Sequence, residues 1–266
     1  MWIAHFAPSL VLSRFAPATP LWALAFAGAL PDFLHFGLTL VGLESSHASH
    51  GSSTLEYMGI EFKGSSTNCF PYSATYPYTH STAGQLIVAT VFAALITLSY
   101  RLSLVSFATL VLATLSHLPL DMAINRDESN INSAQYRRPI WKRHDVPLFD
   151  YPWGTFISDL GIFLFAVLFH ARTVYPPEQH GSNMGIPVIP VEERKDMTFG
   201  YMMLLVAAVG TQAHFSFFGG EVEQDNIVKG GLFMAELVGF AYVLHLLQWY
   251  TTVDLRKPEE EEKKNN

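Results

Sequence analysis

The chain has 266 residues, of which half are apolar, 14% aromatic and only 15% charged, against roughly 25% charged in an ordinary globular chain. So much apolar surface excludes intrinsic disorder. A net charge of −7 without a stripe of Lys or Arg argues against nucleic-acid binding, and a single cysteine, Cys69, excludes an internal disulfide and any cysteine-rich zinc site.

The remaining class is an all-α polytopic membrane bundle, and seven helices are predicted in chain order. The first covers about Ile3 to Phe15 and ends before Pro17 and Pro20, which break the chain. The second runs from Leu21 to about His35. The third spans Gln85 to Tyr100, starting earlier if Ser81 or Thr79 caps it. The fourth runs from Leu102 to Asp121, with Pro119 in its last turn. The fifth is Thr155–Ala171, the sixth Thr198–Phe218 and the seventh Gly231–Val253. A span needs about 20 apolar residues, so the last five are expected to cross the membrane and the first two to form a short hairpin. One rival is a single span from Leu21 to Leu43, which would put Asp32 near mid-membrane at a cost of a few kcal/mol if unpaired, about the lower figure for a buried charge. Another is a cleaved signal peptide, but the N-terminus has no basic segment. This divides the chain into a metal-site half (1–125), a polar basic loop (126–152), C-terminal membrane helices (153–253) and a charged tail (254–266). A second polar stretch, Glu44 to Pro77, is rich in Ser, Thr, Gly, Tyr and His.

The functional signal is where His and Asp fall. His5 opens the first helix, Asp32 and His35 close the second, His80 precedes the third, and His117 and Asp121 close the fourth. In an up-and-down bundle these positions share one level. His117 and Asp121 are four apart and Asp32 and His35 three apart, so each pair shares a helix face. An imidazole–carboxylate set of this kind suits zinc or another divalent first-row ion, as one metal or two. Asp32 or Asp121 is equally placed to act as a catalytic general base. His144 and Asp159 are within reach of the same level. His47, His50, His170 and His180 are expected at the surface, and His214 and Glu236 are expected to make helix–helix hydrogen bonds.

These residues lie in "AHFAPSL", "ALPDFLHF", "YTHS" and "SHLPLD". In order and approximate spacing they resemble the motifs of the membrane-bound metal-dependent hydrolases of the YdjM type, thought to be distant relatives of zinc-dependent phospholipase C. The resemblance covers residues 1 to about 125 and implies metal ligation by His5, Asp32, His35, His80, His117 and Asp121. Leu34 stands where that family usually has a second Asp, and Tyr76 or Tyr78 where a basic residue or His would precede Thr-His-Ser.

The expected function is a membrane-embedded metal-dependent hydrolase of a lipid or lipid-linked phosphoester, with zinc as its metal. The alternatives are a non-catalytic assembly protein of the endoplasmic reticulum with a degenerate site, and a metal-ion transporter. Lys263 and Lys264, followed by two asparagines, resemble a dilysine signal read by retrieval machinery. They predict residence in the endoplasmic reticulum, a cytosolic tail and a lumenal metal site. The basic residues from Arg126 to Arg143 pull toward the opposite orientation.

Overall fold

The computed structural model describes residues 2–48, 54–57, 60–63, 72–75, 78–122, 152–174, 191–218 and 226–253. A 3-10 turn (Ile3–Phe6) leads into helix α1 (Ala7–Leu12), and α2 covers Leu21–Leu40. Four short strands follow: β1 (Ser45–Ala48), β2 (Thr54–Tyr57), β3 (Ile60–Lys63) and β4 (Tyr72–Thr75). The other helices are α3 (Thr82–Tyr100), α4 (Leu104–Leu115), α5 (His117–Met122), α6 (Pro152–Val174), α7 (Val191–Ala213, ending in a π turn, His214–Phe218) and α8 (Asn226–Val253). The bundle is helical and polytopic. Its strands form two small antiparallel ladders, β1 with β4 and β2 with β3, within the polar stretch after α2.

Five helical segments are long and apolar enough to cross a membrane: Leu21–Leu40, Thr82–Tyr100, Leu104–Asp121, Pro152–Thr173 and Gly230–Gln248. By length and composition this is a multi-pass membrane protein. The membership of the set differs from the sequence expectation, because α2 belongs to it and α7 does not. The second helix does not stop at His35. Pro31 lies inside α2 without ending it, although an interior proline costs about 3 kcal/mol. The offset is packing: α2 is the central helix, lying against α1, α4 and α8. Its residues Ala23, Ala25, Ala27 and Ala29 are fully buried, and such small side chains let membrane helices approach closely.

Proline has the larger effect elsewhere. Pro8 enters the first turn of α1 and has no N–H to close an α-turn on Ala4, so the chain starts as a 3-10 turn. Pro119 divides the expected fourth helix, and α4 ends at Leu115 before the short α5 begins.

The helix ends are closed by identifiable groups. Ser81 and Ser103 accept from the N–H of Gly84 and Ser106, capping α3 and α4. The start of α2 follows Pro20, whose side chain cannot cap, and the N–H of Leu21 donates instead to Gln248 Oε1 of α8 at 2.6 Å. That bond places the last turns of α8 beside the start of α2. The starts of α6 and α8 meet the N-terminal turn at the other end, where Asp159 and Phe233 contact Trp2. The end of α7 joins them there through Phe215.

Candidate metal centre

Five of the six expected ligands converge at the end of the bundle where α3 begins. His5, Asp32, His117 and Asp121 each offer a ligand atom, and these atoms lie within 4.8 Å of one another. His5 Nε2 is 3.2 Å from Asp121 Oδ1 and 3.6 Å from Asp32 Oδ2. His117 Nε2 is 3.1 Å from Asp121 Oδ2 and 3.5 Å from Asp32 Oδ1. His80 Nε2 adjoins the same carboxylates, 3.3 Å from Asp32 Oδ1 and 3.5 Å from Asp121 Oδ2, and is 3.2 Å from His117 Nε2. A tetrahedral ion with bonds of about 2.0 Å has donor–donor edges of about 3.3 Å, and the observed separations bracket that value.

The hydrogen bonds set the tautomers. His117 Nδ1 is 2.9 Å from the carbonyl oxygen of Gly28. A carbonyl only accepts, so Nδ1 carries the hydrogen and the neutral ring presents a lone pair at Nε2. The Thr79 hydroxyl donates to Glu44 Oε2 at 2.7 Å, and its oxygen lies 2.9 Å from His80 Nδ1. His80 therefore donates from Nδ1 and also presents its lone pair at Nε2. Two lone pairs facing each other across 3.2 Å repel unless a cation lies between them. A single proton could bridge that pair, but it would leave His5 Nε2 and Asp32 Oδ2 unsatisfied, and both are buried without a hydrogen-bond partner. A divalent ion between the facing Nε2 atoms would remove that repulsion and give His5 Nε2 a partner as well.

Burial lowers His5 to about 4. It is therefore neutral and able to ligate at ordinary pH. Its ring stacks on His117 with centroids 3.8 Å apart.

Local structure explains this convergence. Gly28 faces the N-terminal turn so closely that a Cβ there would lie 2.1 Å from the carbonyl oxygen of His5. Glycine thus brings His5 onto α2, while its own carbonyl orients His117. The N–H groups of Trp2 and Ile3, free donors at a helix start, are taken by Asp159 Oδ2 of α6 at 2.7 Å and Gln212 Oε1 of α7 at 3.2 Å. The break at Ser116, three residues before Pro119, sets off α5, and His117 and Asp121 on it both reach the centre. Asp32 is in the middle of α2. It is level with the first turn of α3, a 19-residue helix flanked by exposed Tyr78 and Tyr100, the aromatic pattern of membrane boundaries. Eight residues of α2 continue past Asp32, beyond this level.

His35 is held differently from the other five expected ligands: its Nδ1 bonds Glu44 Oε2 at 2.7 Å. Glu44 also accepts from the N–H of Tyr78 (3.0 Å) and Thr79 (2.9 Å). His35, Glu44 and Thr79 thus form a buried chain that ends on His80. Burial pushes Glu44 up, but the bonds from His35, Thr79 and Tyr78 outweigh it and hold the carboxyl below its ordinary range. The β1–β4 ladder pairs Ser45 with Thr75 and so clamps the two ends of the polar stretch, delivering Glu44 to Thr79. Nothing in the sequence marked Glu44, because it joins His35, nine residues back, to Tyr78 and Thr79, 34 and 35 residues on.

Asp159 anchors Trp2 and is not among the clustered ligands, and His144 lies outside the described residues. His47, by its side chain, with His50 and His180, also lies outside them. His170 bonds Tyr201 (2.7 Å) between α6 and α7, so it is a helix–helix contact rather than a surface residue. His214 and Glu236 pair with each other between α7 and α8, as expected for helix–helix bonds.

No protein-family model, curated protein or solved structure matches the chain.

Proposed function

We propose that the chain is a membrane-embedded metal-dependent hydrolase acting on the phosphoester of a lipid or lipid-linked substrate, with zinc as its ion. The observation that carries the reading is the donor set: three imidazoles and two carboxylates, with two Nε2 lone pairs facing each other at 3.2 Å. His5, His80, His117 and Asp121 would hold the metal. A divalent ion there supplies Lewis acidity, polarising an ester oxygen and acidifying water. Asp32 is the most exposed of the five side chains, at 16% against 7% or less for the others. It would therefore lie toward the side from which substrate and water enter, and its carboxylate, left out of that ligand set, is suited to accept a proton from the attacking water. A site beside the start of a membrane-spanning α3 would sit at the depth of lipid headgroups, which supports headgroup chemistry. The likeness of the motifs to the YdjM-type hydrolases points the same way.

An endoplasmic-reticulum location with a cytosolic tail belongs to this reading. It rests on Lys263 and Lys264, which lie outside the described residues. The Gln248–Leu21 bond puts the end of α8 opposite the metal centre, in keeping with a site on the lumenal side.

Elemental analysis of gently extracted protein tests the metal. About one zinc per chain is expected, and almost none in His117→Ala/Asp121→Ala. Equal content in the two proteins would remove the site. Turnover of a phospholipid and polyprenyl-phosphoester panel tests the activity. It should vanish with a chelator and return with zinc, and metal-loaded protein inert on every member would remove the hydrolase reading.

A further inference from the structure

Gln85 is fully buried on α3, and neither its Oε1 nor its Nε2 has a hydrogen-bond partner. A buried amide left without partners costs about 1–3 kcal/mol for each unsatisfied group, so such a residue calls for an explanation. Its place in the fold supplies one. Gln85, Ala89 and Ala93 are the buried stripe of α3, while Leu86, Ile87 and Val91 are exposed on its outer face. The stripe faces α2 and α4: Ala93 packs with Ala23, Ala27, Leu110 and Ala113, and Phe92 meets Phe26 at 5.9 Å. Because α3 and α4 form an antiparallel hairpin, two turns from Ala93 toward the start of α3 correspond to two turns from Leu110 toward the end of α4. This brings Gln85 level with His117. The same count from Phe26 along α2 brings it level with Asp32. Gln85 thus faces the bundle interior at the level of the metal centre, in the first turn of a helix whose N-terminal dipole favours an anion.

We infer that Gln85 is a substrate-binding residue that donates its amide hydrogens to a phosphoryl oxygen held at the metal centre. The inference rests on the metal-site reading and names the anion that site receives. The amide has two donors, which match a non-bridging phosphoryl oxygen. Its level, shared with Asp32 and His117, separates it from the purely apolar layers of Ala89 and Ala93 below.

Gln85→Met keeps length and volume but removes the amide, and Gln85→Leu serves as a second variant if Met does not fold. Zinc content, melting temperature and binding of inorganic phosphate to the zinc-loaded protein are measured together. Expected are unchanged zinc, an equal or higher melting temperature, and phosphate binding weaker by about tenfold, the worth of one hydrogen bond to a charged group. Nanodiscs of phosphatidylcholine with and without phosphatidate give the lipid arm. A tenfold loss for phosphatidate with a smaller loss for free phosphate assigns the oxygen to a headgroup, and equal losses assign it to the phosphoryl group itself. A higher melting temperature with unchanged phosphate and phosphatidate binding would overturn the inference and make Gln85 a structural defect only. Absence of zinc from the wild type would be the separate failure of the metal reading.

Discussion

The helices α1 to α5 and the helices α6 to α8 use their polar residues differently. The first group gathers His5, Asp32, His80, His117 and Asp121 into one cluster with donor separations of 3.1–3.6 Å. The second group pairs His170 with Tyr201 and His214 with Glu236 within itself and lends single side chains to the first: Asp159 and Gln212 take the N–H groups of Trp2 and Ile3, and Gln248 takes that of Leu21. Their glycines differ as well. A Cβ at Gly28 would meet the His5 carbonyl oxygen at 2.1 Å, and one at Gly84 the Tyr78 carbonyl oxygen at 1.6 Å, whereas Gly161, Gly210 and Gly239 have nothing within 4 Å. The approaches below 3 Å fall in the half that holds the site, while among the described glycines of the other half the tightest is Gly200, 3.3 Å from Leu247.

The largest effect expected from this contrast is at Gly28. Gly28→Ala forces the N-terminal turn away from α2, which moves His5 and strains the carbonyl that orients His117. Backbone overpacking of this kind costs about 1–3 kcal/mol or more. Calorimetry in detergent should show a clear fall in melting temperature, together with loss of bound zinc. Retention of both would mean that α1 shifts freely, and the division between the halves would fail.

A smaller effect is expected one layer out. Glu44→Gln breaks the chain from His35 through Thr79 to His80 without touching a clustered ligand. Loss of an orienting partner typically weakens metal affinity about 10- to 100-fold, and competition with a chelator reads this directly. The variant also has a pH signature. Because the Glu44 carboxyl is held below its ordinary value of 4.5, its contribution to stability is fully present above that value and is lost as pH falls through the lower folded-state value. The gap in melting temperature between wild type and Glu44→Gln should therefore narrow on acidification below about pH 4.5. A gap that persists unchanged would show that Glu44 acts by packing alone.

The second group should respond more weakly. Gln248→Ala leaves the Leu21 N–H without its partner, a lost cap costing about 0.5–2 kcal/mol, with zinc content unchanged. Loss of zinc in this variant would show that the far end of α2 is coupled to the centre.

The ligands were legible in the sequence because alternating helix directions turn start–end–start–end positions into one level. That argument needs only approximate helix limits, so it survived errors in them. Asp32 reached the centre although α2 runs to Leu40, and His117 and Asp121 did so although Pro119 broke their helix. His35 shares a helix face with Asp32, as three residues' spacing predicts, but α2 continues past it and Glu44 returns to bind its Nδ1. Glu44, Asp159 and Gln212 were not legible as partners. Each acts across 35 to 209 residues of chain, where no local pattern records the pairing. Gly28 was equally silent, since a glycine among alanines reads as generic membrane-helix composition.

The smallest effect expected is at Gly239, on the exposed side of α8. An added methyl there meets nothing within 4 Å, so the substitution acts only through helix propensity and the entropy of the unfolded chain. Gly→Ala at a compatible helical position stabilises by about 0.4–1 kcal/mol. Gly239→Ala should raise the melting temperature slightly and leave zinc content untouched, the opposite sign from Gly28→Ala for the same chemical change. The pair forms an internal control, because composition, helix type and added atoms are identical and only the neighbourhood differs. A destabilised Gly239→Ala would show that α8 presents this face to a packed surface, such as a second copy of the chain, and would remove the distinction between a tightly packed site half and an open frame.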